Sequence, residues 1–284
     1  MNSNIQDFSG YNPTWCPGCG DWGIGVAIKS AFVQLGLDPS SVAVIFGIGC
    51  SGNMNDFLNA YAMHALHGRS IPNAIGAKIA NHRMPVIAVV GDGDCYGEGG
   101  NHLMHACRGN HDITVIVHDN GVYGLTTGQV APTASKGFKS KSTPTGIIDT
   151  PINPLLLTLS QGATFIAQSF AGDVNHAISI IKEGILHKGF SLINILQPCV
   201  TFNKVNTYKY YLEHIYKLPS DYRRDIYDEA LKKAVELNNE KFALGVIYQV
   251  SRPTYTDQLP QLSETTLVSK PRNNSFDEVI NDFV

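Results

Sequence analysis

The sequence predicts an α/β fold, a largely parallel sheet with helices on both faces. Short apolar runs of about five residues recur along the chain, as expected of strands covered on both sides in a parallel sheet. Stretches of helical character separate these runs. Alternation of strand and helix is typical of parallel sheets, so we expect one large α/β domain.

The elements follow in order along the chain. Buried strands are predicted at residues 42–48, 86–90, 113–117 and 192–196, and residues 163–167 form a weaker candidate. Helices are predicted between them, at residues 22–35, 71–81, 100–109 and 174–187.

Two segments interrupt this pattern. Residues 125–150 are rich in Gly, Pro, Ser and Thr and are too long for an ordinary connection, which is typical of a functional or mobile loop. From Arg252 the chain becomes polar and proline-interrupted. We expect a domain over residues 1–251 and a C-terminal tail or docking arm over residues 252–284.

Composition narrows the class of protein. The chain has 284 residues, 43% of them hydrophobic, which suffices for a large buried core. Its 21 basic and 24 acidic residues indicate no nucleic-acid or membrane partner. The first residues lack the features of a secretory signal, and no apolar run has the length of a membrane span. We expect a cytoplasmic protein.

A carboxylate and an amide follow two successive predicted strands. Asp92 comes just after one strand and Asn120 just after the next. In a parallel sheet both lie at the carboxyl edge, where ligands of open α/β sheets bind. Oxygen ligands suit Mg²⁺, and Gly91 and Gly93 allow the backbone to approach a phosphate. The pattern favours a metal-diphosphate site over a simple tight turn.

The cysteines form the second candidate site. Cys16 and Cys19 form a C-x-x-C knuckle, which suits a zinc ribbon as well as an iron–sulfur cluster. A ribbon needs a second close pair, and the other cysteines are isolated. Cys50 and Cys199 each follow a predicted strand, which puts them at the same sheet edge as Asp92 and Asn120. Close spacing without a secretory signal favours metal chemistry over disulfides.

The diphosphate pattern also resembles a known motif. Gly91-Asp92-Gly93 followed by Asn120 is similar to the thiamine diphosphate motif, in which Asp, Asn and a backbone carbonyl two residues later hold Mg²⁺. The carbonyl would be that of Val122. The motif usually ends in Asn-Asn, whereas this chain has Asp119 before Asn120.

The combination of motifs resembles the β subunits of 2-oxoacid:ferredoxin oxidoreductases, in their 2-oxoglutarate or broad-specificity branch. The matching segments span residues 15–208 in the family's order: WCPGCG, GIGCSG, HALHGRSIPNAIGAKIAN, GDGDCYGEGGNHLMHACRGN, DNGVYGLTTGQVAPT and LQPCVTFNKVNTY. The resemblance implies one [4Fe–4S] cluster held by Cys16, Cys19, Cys50 and Cys199. It also implies thiamine diphosphate contacts at Ile48, Gly49, Cys50, Ser51, His67, Gly93, Asp94, Gly124 and Leu125.

Two of the positions concern the reaction itself. The resemblance implies that His67 assists proton movements at the cofactor. The alternative interpretation of His67 is a buried structural histidine. Thr127 stands where some relatives carry Lys, a position associated with substrate or coenzyme A.

The resemblance implies coenzyme A-dependent oxidative decarboxylation of 2-oxoacids, 2-oxoglutarate or pyruvate, to acyl-CoA and CO₂. Electrons pass through the cluster to ferredoxin. The glutamate that activates thiamine diphosphate belongs to a separate pyrimidine-binding domain in this family. We therefore expect an α subunit to supply it, and we expect no activity without that subunit.

Two alternative functions stay open. One is a non-oxidative thiamine diphosphate-dependent decarboxylase or synthase subunit, against which the four cysteines argue. The other is a zinc-stabilised, non-catalytic binding subunit, against which the Asp92/Asn120 pair argues. Cys95 and Cys107 are expected to be small buried hydrophobes, and His102 and His105 to serve helix packing.

Overall fold

The computed structural model describes residues 3–271 and residue 280. The strands are β1 (Ala43–Phe46), β2 (Tyr61–His64), β3 (Val86–Gly91), β4 (Thr114–Asp119), β5 (Val122–Tyr123), β6 (Gln129–Val130), β7 (Phe165–Phe170), β8 (Ser191–Leu196), β9 (Ile215–Lys217) and β10 (Phe242–Gln249). The α-helices are α1 (Gly20–Gln34), α2 (Met54–Phe57), α3 (Ser70–Ala80), α4 (Gly100–Gly109), α5 (Pro154–Ser160), α6 (Val174–Leu186), α7 (Tyr208–His214) and α8 (Tyr227–Glu236).

Eight strands form the main sheet, in the spatial order β2-β1-β3-β4-β8-β7-β10-β9. Neighbouring strands are parallel, except that β10 runs antiparallel to β7. A separate antiparallel ribbon pairs β5 with β6. The predicted fold class is confirmed.

Alternate side chains of each strand pack on opposite faces of the sheet. In β1, Val44 and Phe46 belong to the hydrophobic cluster under α1 and α6. Ala43 and Ile45 belong to a second cluster, under α3, α4, α5 and α8. Because helices cover both faces, the central strands are apolar along their whole length, which is the origin of the runs seen in the sequence.

The predicted strands and helices are present, with small changes at their ends. The runs at residues 42–48, 86–90, 113–117 and 192–196 correspond to β1, β3, β4 and β8, and the weaker candidate at residues 163–167 corresponds to β7. The four predicted helices correspond to α1, α3, α4 and α6, and each begins and ends within two residues of the predicted bounds.

Three strands of the main sheet were not predicted. β2 lies at the edge of the sheet and its four residues are exposed, so it lacks a buried apolar run. β10 is apolar, but Gly245 interrupts it with a φ of 140°, and its pairing with β7 shifts between Val246 and Tyr248. The remaining strand, β9, has only three residues.

The chain after β10 continues over the body of the protein in short 3₁₀ turns. The guanidinium of Arg252 donates to the carbonyl of Cys107 at 3.0 Å, and the Asn110 side chain donates to the carbonyl of Arg252 at 2.9 Å. Arg83 donates to the carbonyl of Glu264 at 2.9 Å. The predicted boundary at residue 251 stays a prediction, and residues 272–279 and 281–284 of the predicted tail lie outside the described residues.

Within residues 3–271 and 280, no helix combines the length and apolarity of a bilayer span. The parallel strands β1, β3, β4 and β8 all end at one edge of the sheet. The loops that follow them carry the residues predicted for the site.

Candidate functional site

A cleft lies at the carboxyl ends of β1, β3 and β4, and its wall gathers most of the residues predicted to bind cofactor. The predicted residues in the wall are Ile48, Gly49, Cys50, Ser51, His67, Gly91, Asp92, Gly93, Asp94, Asn120, Val122, Gly124 and Leu125. His118, Tyr123, Thr126 and Gln197 complete it. The topology thus brings together five separate parts of the chain.

The Asp92 carboxylate is buried and held at both of its oxygens. Oδ1 accepts from the backbone N–H of Gly93 at 2.9 Å, and Oδ2 accepts from that of Gly121 at 2.8 Å. The Thr133 hydroxyl also donates to Oδ2. Burial, followed by the charge of Asp119, raises the pKa of Asp92. A cation bound here would offset the free-energy cost of burying the ionised carboxylate, as expected of a metal ligand.

Asn120 is fixed by hydrogen bonds at both ends of its amide. Its Oδ1 accepts from the backbone N–H of Val122 at 3.0 Å, and its Nδ2 donates to Gln197 Oε1 at 2.8 Å. The Asn203 side chain donates to the backbone carbonyl of Asn120 at 2.9 Å. The contact of Asp92 with Gly121 brings the turn after β3 against the turn that carries Asn120 and Val122, as a shared metal site requires.

Asp94 and His67 form a hydrogen-bonded pair in the cleft. The Nδ1 atom of His67 lies 2.5 Å from Oδ1 of Asp94, which also accepts from the backbone N–H of Gly68 at 2.8 Å. The His67 Nε2 atom lies 3.8 Å from Oε2 of Glu98. With 37% of its side chain exposed, His67 is accessible from the cleft, so it is not a fully buried structural histidine.

Three buried polar atoms in the cleft wall have no hydrogen-bond partner among the described residues. They are Ser51 Oγ, Asp94 Oδ2 and His118 Nε2. Buried polar atoms are rarely left unpaired in a native protein, so these three indicate that a polar ligand belongs here. A hydroxyl and a carboxylate beside Gly-rich backbone fit a diphosphate with its hydrated Mg²⁺.

The four predicted cluster cysteines lie at the same end of the sheet. A Cβ added to Gly124 would lie 3.3 Å from the Cys50 sulfur and 3.9 Å from the Cys199 sulfur. Burial raises the pKa of Cys50 to about 12, with smaller contributions from Asp21, Cys199 and Cys16. The pKa of Cys19 is raised in the same way, by burial first and then by Asp21.

Cys199 contributes to the raised pKa of both Cys19 and Cys50, and Cys16 contributes to that of Cys50, as expected of sulfurs that lie near one another. Iron bound to these sulfurs would offset the cost of burying a thiolate. Across the described part of the chain, however, no three His, Cys, Asp or Glu side chains are close enough together to form a metal site. The cluster ligands therefore stay a prediction.

A buried acid–histidine pair adjoins the cysteines. Oδ1 of Asp21 lies 2.6 Å from Nδ1 of His118, and both side chains are almost fully buried. The other oxygen of Asp21 accepts from the Cys19 thiol at 3.2 Å. Because His118 also lines the cleft, this pair links the cysteine region to the cofactor region. The sequence gives no signal for the pair, since Asp21 lies in the first turn of α1 and His118 lies inside β4.

Thr127 lies outside the cleft. It belongs to an adjacent surface groove with Gly128, Lys139, Ser140, Lys141, Pro144, Thr201 and Phe202. Its φ of 79° is in the left-handed region, which is strained for a β-branched residue. The structure therefore separates Thr127 from the residues around Asp92.

Asp119 faces a different cavity from the one that Asn120 lines. Its Oδ2 accepts from the Asn194 side chain at 2.9 Å, and Asn194 in turn accepts from the Tyr96 hydroxyl at 2.8 Å. This cavity is also lined by Thr133 and Tyr211. Burial raises the pKa of Asp119. Asp119, which stands where the motif usually has Asn, therefore lines this second cavity rather than the cleft.

Five residues contribute to the site without having been predicted. His118, Tyr123, Thr126 and Gln197 line the cleft, and Thr133 reaches Asp92 from the long loop at residues 125–150. The only signal for Thr133 is its membership of that overlong loop. Cys95 and Cys107 are buried in the apolar cluster under α3 and α4, as expected of structural thiols.

Two protein families match the chain, and one of them covers the cleft. Residues 47–195 match the family described as "Thiamine pyrophosphate enzyme, C-terminal TPP binding domain". Residues 199–264 match the family of the C-terminal region of the pyruvate ferredoxin oxidoreductase beta chain. The first match covers the turns that carry Asp92 and Asn120, so the cleft belongs to a thiamine pyrophosphate-binding domain.

Relatives over nearly the full length identify the family. The chain is 42% identical to the 2-oxoacid:ferredoxin oxidoreductase subunit beta of Saccharolobus solfataricus, over 92% of this chain and 90% of that protein. It is 32% identical to the 2-oxoglutarate synthase subunit KorB of Methanocaldococcus jannaschii, over 88% of this chain and 92% of the relative.

A solved structure agrees with these relatives. The 2-oxoglutarate:ferredoxin oxidoreductase of Magnetococcus marinus, with 2-oxoglutarate, coenzyme A and succinyl-CoA bound, superposes with a TM-score of 0.91. The identity is 36%, over 99% of this chain and 96% of that chain. The protein belongs to the β subunits of 2-oxoacid:ferredoxin oxidoreductases, and the resemblance inferred from the sequence is confirmed.

Proposed function

We propose that this subunit, with an α subunit, catalyses the coenzyme A-dependent oxidative decarboxylation of 2-oxoacids and passes the electrons to ferredoxin. The observation that carries the proposal is that Cys50 belongs to both candidate sites. Its sulfur lies against Gly124 together with that of Cys199, and Cys50 also lines the cleft of Asp92 and Asn120. A redox centre held there would lie beside the cofactor.

Asp92, Asn120 and the carbonyl of Val122 would hold Mg²⁺, and through it the diphosphate. When bound, thiamine diphosphate supplies the electron sink for decarboxylation. Ser51 Oγ and Asp94 Oδ2 supply polar atoms for the hydrated diphosphate, and both are buried without a partner among the described residues. The role of this chain is then to bind and orient the cofactor and to exclude water.

His67 would hold a proton at the cleft. The Asp94 carboxylate accepts a hydrogen bond from Nδ1 of His67. The neutral imidazole therefore carries its proton on Nδ1, and Nε2 is the nitrogen that accepts a proton. Glu98 lies on the Nε2 side at 3.8 Å, so a proton on that atom would face a carboxylate. This arrangement suits transient acceptance of a proton during turnover.

Cys16, Cys19, Cys50 and Cys199 would hold one [4Fe–4S] cluster. The six cysteines are all free of disulfides, which is typical of a reducing compartment and supports a cytoplasmic location. Ferredoxin as the acceptor is suggested by the name that the relatives carry.

An α subunit is supported by exposed apolar residues next to the cleft. Tyr61 and Met63 of the edge strand β2 are 63% and 46% exposed, and Leu66 is 78% exposed. Leu66 immediately precedes His67 in the chain, so a partner covering this patch would also adjoin the cleft. That is where a pyrimidine-binding domain has to lie if it supplies the activating glutamate.

The substrate is a 2-oxoacid, with 2-oxoglutarate favoured by the bound ligands of the Magnetococcus marinus enzyme. No Lys or Arg is among the described residues that line the cleft. Recognition of the substrate carboxylates therefore falls to the α subunit or to the neighbouring groove. Lys139 and Lys141 give that groove, which contains Thr127, a positive charge that suits the phosphates of coenzyme A.

The test is the activity of the purified complex. We expect 2-oxoacid-dependent reduction of ferredoxin or a viologen dye that requires coenzyme A, with 2-oxoglutarate and pyruvate compared directly. Iron and acid-labile sulfide should be present. Decarboxylation without dye reduction would favour the non-oxidative alternative, and zinc without iron would favour the non-catalytic binding subunit.

A further inference from the structure

One buried side chain contacts both proposed cofactor sites. Gln197 follows β8 directly and is 1% exposed. Its Oε1 accepts from Asn120 Nδ2 at 2.8 Å, and its Nε2 donates to the Cys19 sulfur at 3.2 Å. Asn120 is a proposed Mg²⁺ ligand and Cys19 a proposed cluster ligand, so a single amide spans the two.

The orientation of this amide is determined by its surroundings. The backbone N–H of Val122 donates to Asn120 Oδ1 at 3.0 Å, so the NH₂ group of Asn120 must point the other way, towards Gln197. Gln197 therefore presents its oxygen to Asn120 and its NH₂ group to Cys19. Reversing either amide would bring two donors together. The hydrogen-bonding pattern is thus self-consistent in one orientation only.

On the magnesium side, Gln197 keeps the oxygen of Asn120 available. A metal ion binds the amide oxygen and not the nitrogen. Because Nδ2 is held by Gln197, Oδ1 stays on the side of Val122, where the second proposed ligand group lies. Hydrogen-bond partners of metal ligands commonly contribute a factor of about 10–100 in metal affinity.

On the cysteine side, Gln197 donates to a sulfur that has a negative neighbour. Asp21 Oδ2 lies 3.2 Å from the same sulfur. Among the described side chains, Gln197 is the one that donates to Cys19. Hydrogen bonds to cluster sulfurs stabilise the reduced, more negative cluster and raise its reduction potential. Without Gln197, the side-chain partner left beside the Cys19 sulfur would be the Asp21 carboxylate.

The backbone also keeps Gln197 in place. Its N–H donates to the carbonyl of Asp119 at 2.8 Å. A Cβ on Gly20, the first residue of α1, would lie 2.7 Å from Cγ of Gln197, so the absence of a side chain at Gly20 makes room for the glutamine.

We propose that Gln197 is a positioning residue that couples the two cofactor sites, orienting Asn120 for Mg²⁺ and tuning the cluster through Cys19. This inference rests on the proposed function. It implies that one substitution changes two properties that are otherwise independent, the affinity for thiamine diphosphate with Mg²⁺ and the reduction potential of the cluster.

Two variants separate the two contacts. Gln197→Met has similar length and removes both hydrogen bonds, so both properties should change. Gln197→Glu keeps an oxygen that accepts from Asn120 but places a carboxyl group at Cys19, so the potential should fall while the loss of cofactor affinity is smaller than in Gln197→Met. Gln168→Met is the matched control, since Gln168 is a buried glutamine of the adjacent β7 that donates to the carbonyl of Ala243 instead.

The measurements are made on the purified αβ complex. Calorimetric titration with thiamine diphosphate and Mg²⁺ should give a loss of affinity of at least about tenfold in Gln197→Met. Redox titration followed by electron paramagnetic resonance should show that Gln197→Met lowers the reduction potential of the cluster. The expected tenfold change in the equilibrium corresponds to about 59 mV for one electron. Gln168→Met should change neither quantity by more than about twofold.

Unchanged affinity and potential in Gln197→Met would overturn the inference, and so would equal changes in Gln168→Met. If Gln197→Met fails to assemble, Gln197→Glu still decides the sulfur contact, because an unchanged potential in that variant also overturns it. A wild-type complex that holds no iron or binds no thiamine diphosphate would instead overturn the proposed function. The two failures are therefore distinguishable.

Discussion

Oδ2 of Asp92 accepts a hydrogen bond of 2.8 Å from the backbone N–H of Gly121, which ties the carboxylate after β3 to the turn after β4. This contact joins the two turns that carry the proposed Mg²⁺ ligands. The Thr133 hydroxyl, from the long loop, donates to the same oxygen. Asp92 is therefore both a ligand candidate and the point at which three segments meet.

Replacing Asp92 with Ala should abolish Mg²⁺-dependent binding of thiamine diphosphate, because the cation loses its charged protein ligand. We expect a loss of at least about 100-fold in affinity by calorimetry. Asp112→Ala is the control, since Asp112 pairs with Lys78 and does not line the cleft, and this variant should bind nearly as well as the wild type. Near-normal affinity in Asp92→Ala would remove Asp92 from the site.

Cys199→Ser should lose or convert the cluster, whereas Cys95→Ser should keep it. The Cys199 sulfur lies beside Gly124 and Cys50, while Cys95 is buried in the apolar cluster under α3 and α4. Iron and sulfide quantification with visible absorption measures the difference. Equal cluster loss in both variants would show that the ligand assignment is wrong.

Purified alone, the chain should carry a cluster but show no 2-oxoacid-dependent reduction of ferredoxin or a viologen dye. The family's activating glutamate is expected from the α subunit, so the cofactor held through Asp92 and Asn120 lacks its activating partner. Co-expression with an α subunit should restore turnover. Steady turnover by the lone, metal-replete chain contradicts this expectation.

The isolated chain should also associate with itself, since Tyr61, Met63 and Leu66 leave an apolar patch exposed next to the cleft. Light scattering on the Met63→Lys variant should give a smaller species than on the wild type. Val26→Lys, a change at an exposed apolar position on α1, is the control and should not alter the size. Identical sizes for all three proteins would argue against this patch as an interface.

Thr127→Gly should raise the free energy of unfolding by about 1 kcal/mol, because a β-branched residue at positive φ is strained and glycine is not. Chemical denaturation measures the change. Thr126→Gly is the control, since Thr126 lies outside the positive-φ residues and donates to Gln129, so it should give no gain. A loss of stability in Thr127→Gly would mean that contacts of the threonine outweigh its strain.

The local sequence determined the sheet and the two turns that carry the proposed Mg²⁺ ligands. Buried parallel strands need continuous apolar runs, so β1, β3, β4 and β8 were predictable, and residues that follow such strands meet at one edge by topology. That reasoning placed Asp92, Asn120, Cys50 and Cys199 together from the sequence alone. The edge strand β2 and the interrupted β10 carry no such run, which is why they were not predicted.

The tertiary structure alone decided which polar side chains meet between those turns. Thr133 reaches Asp92 across 41 residues, His118 reaches Asp21 across 97, and Gln197 reaches Cys19 across 178. No sequence period or spacing predicts hydrogen bonds between residues so distant in the chain, because these bonds depend on how the loops pack at the edge of the sheet. The same holds for Thr127, which adjoins the turn residues in sequence yet lies in a separate groove, since the chain reverses at its positive φ.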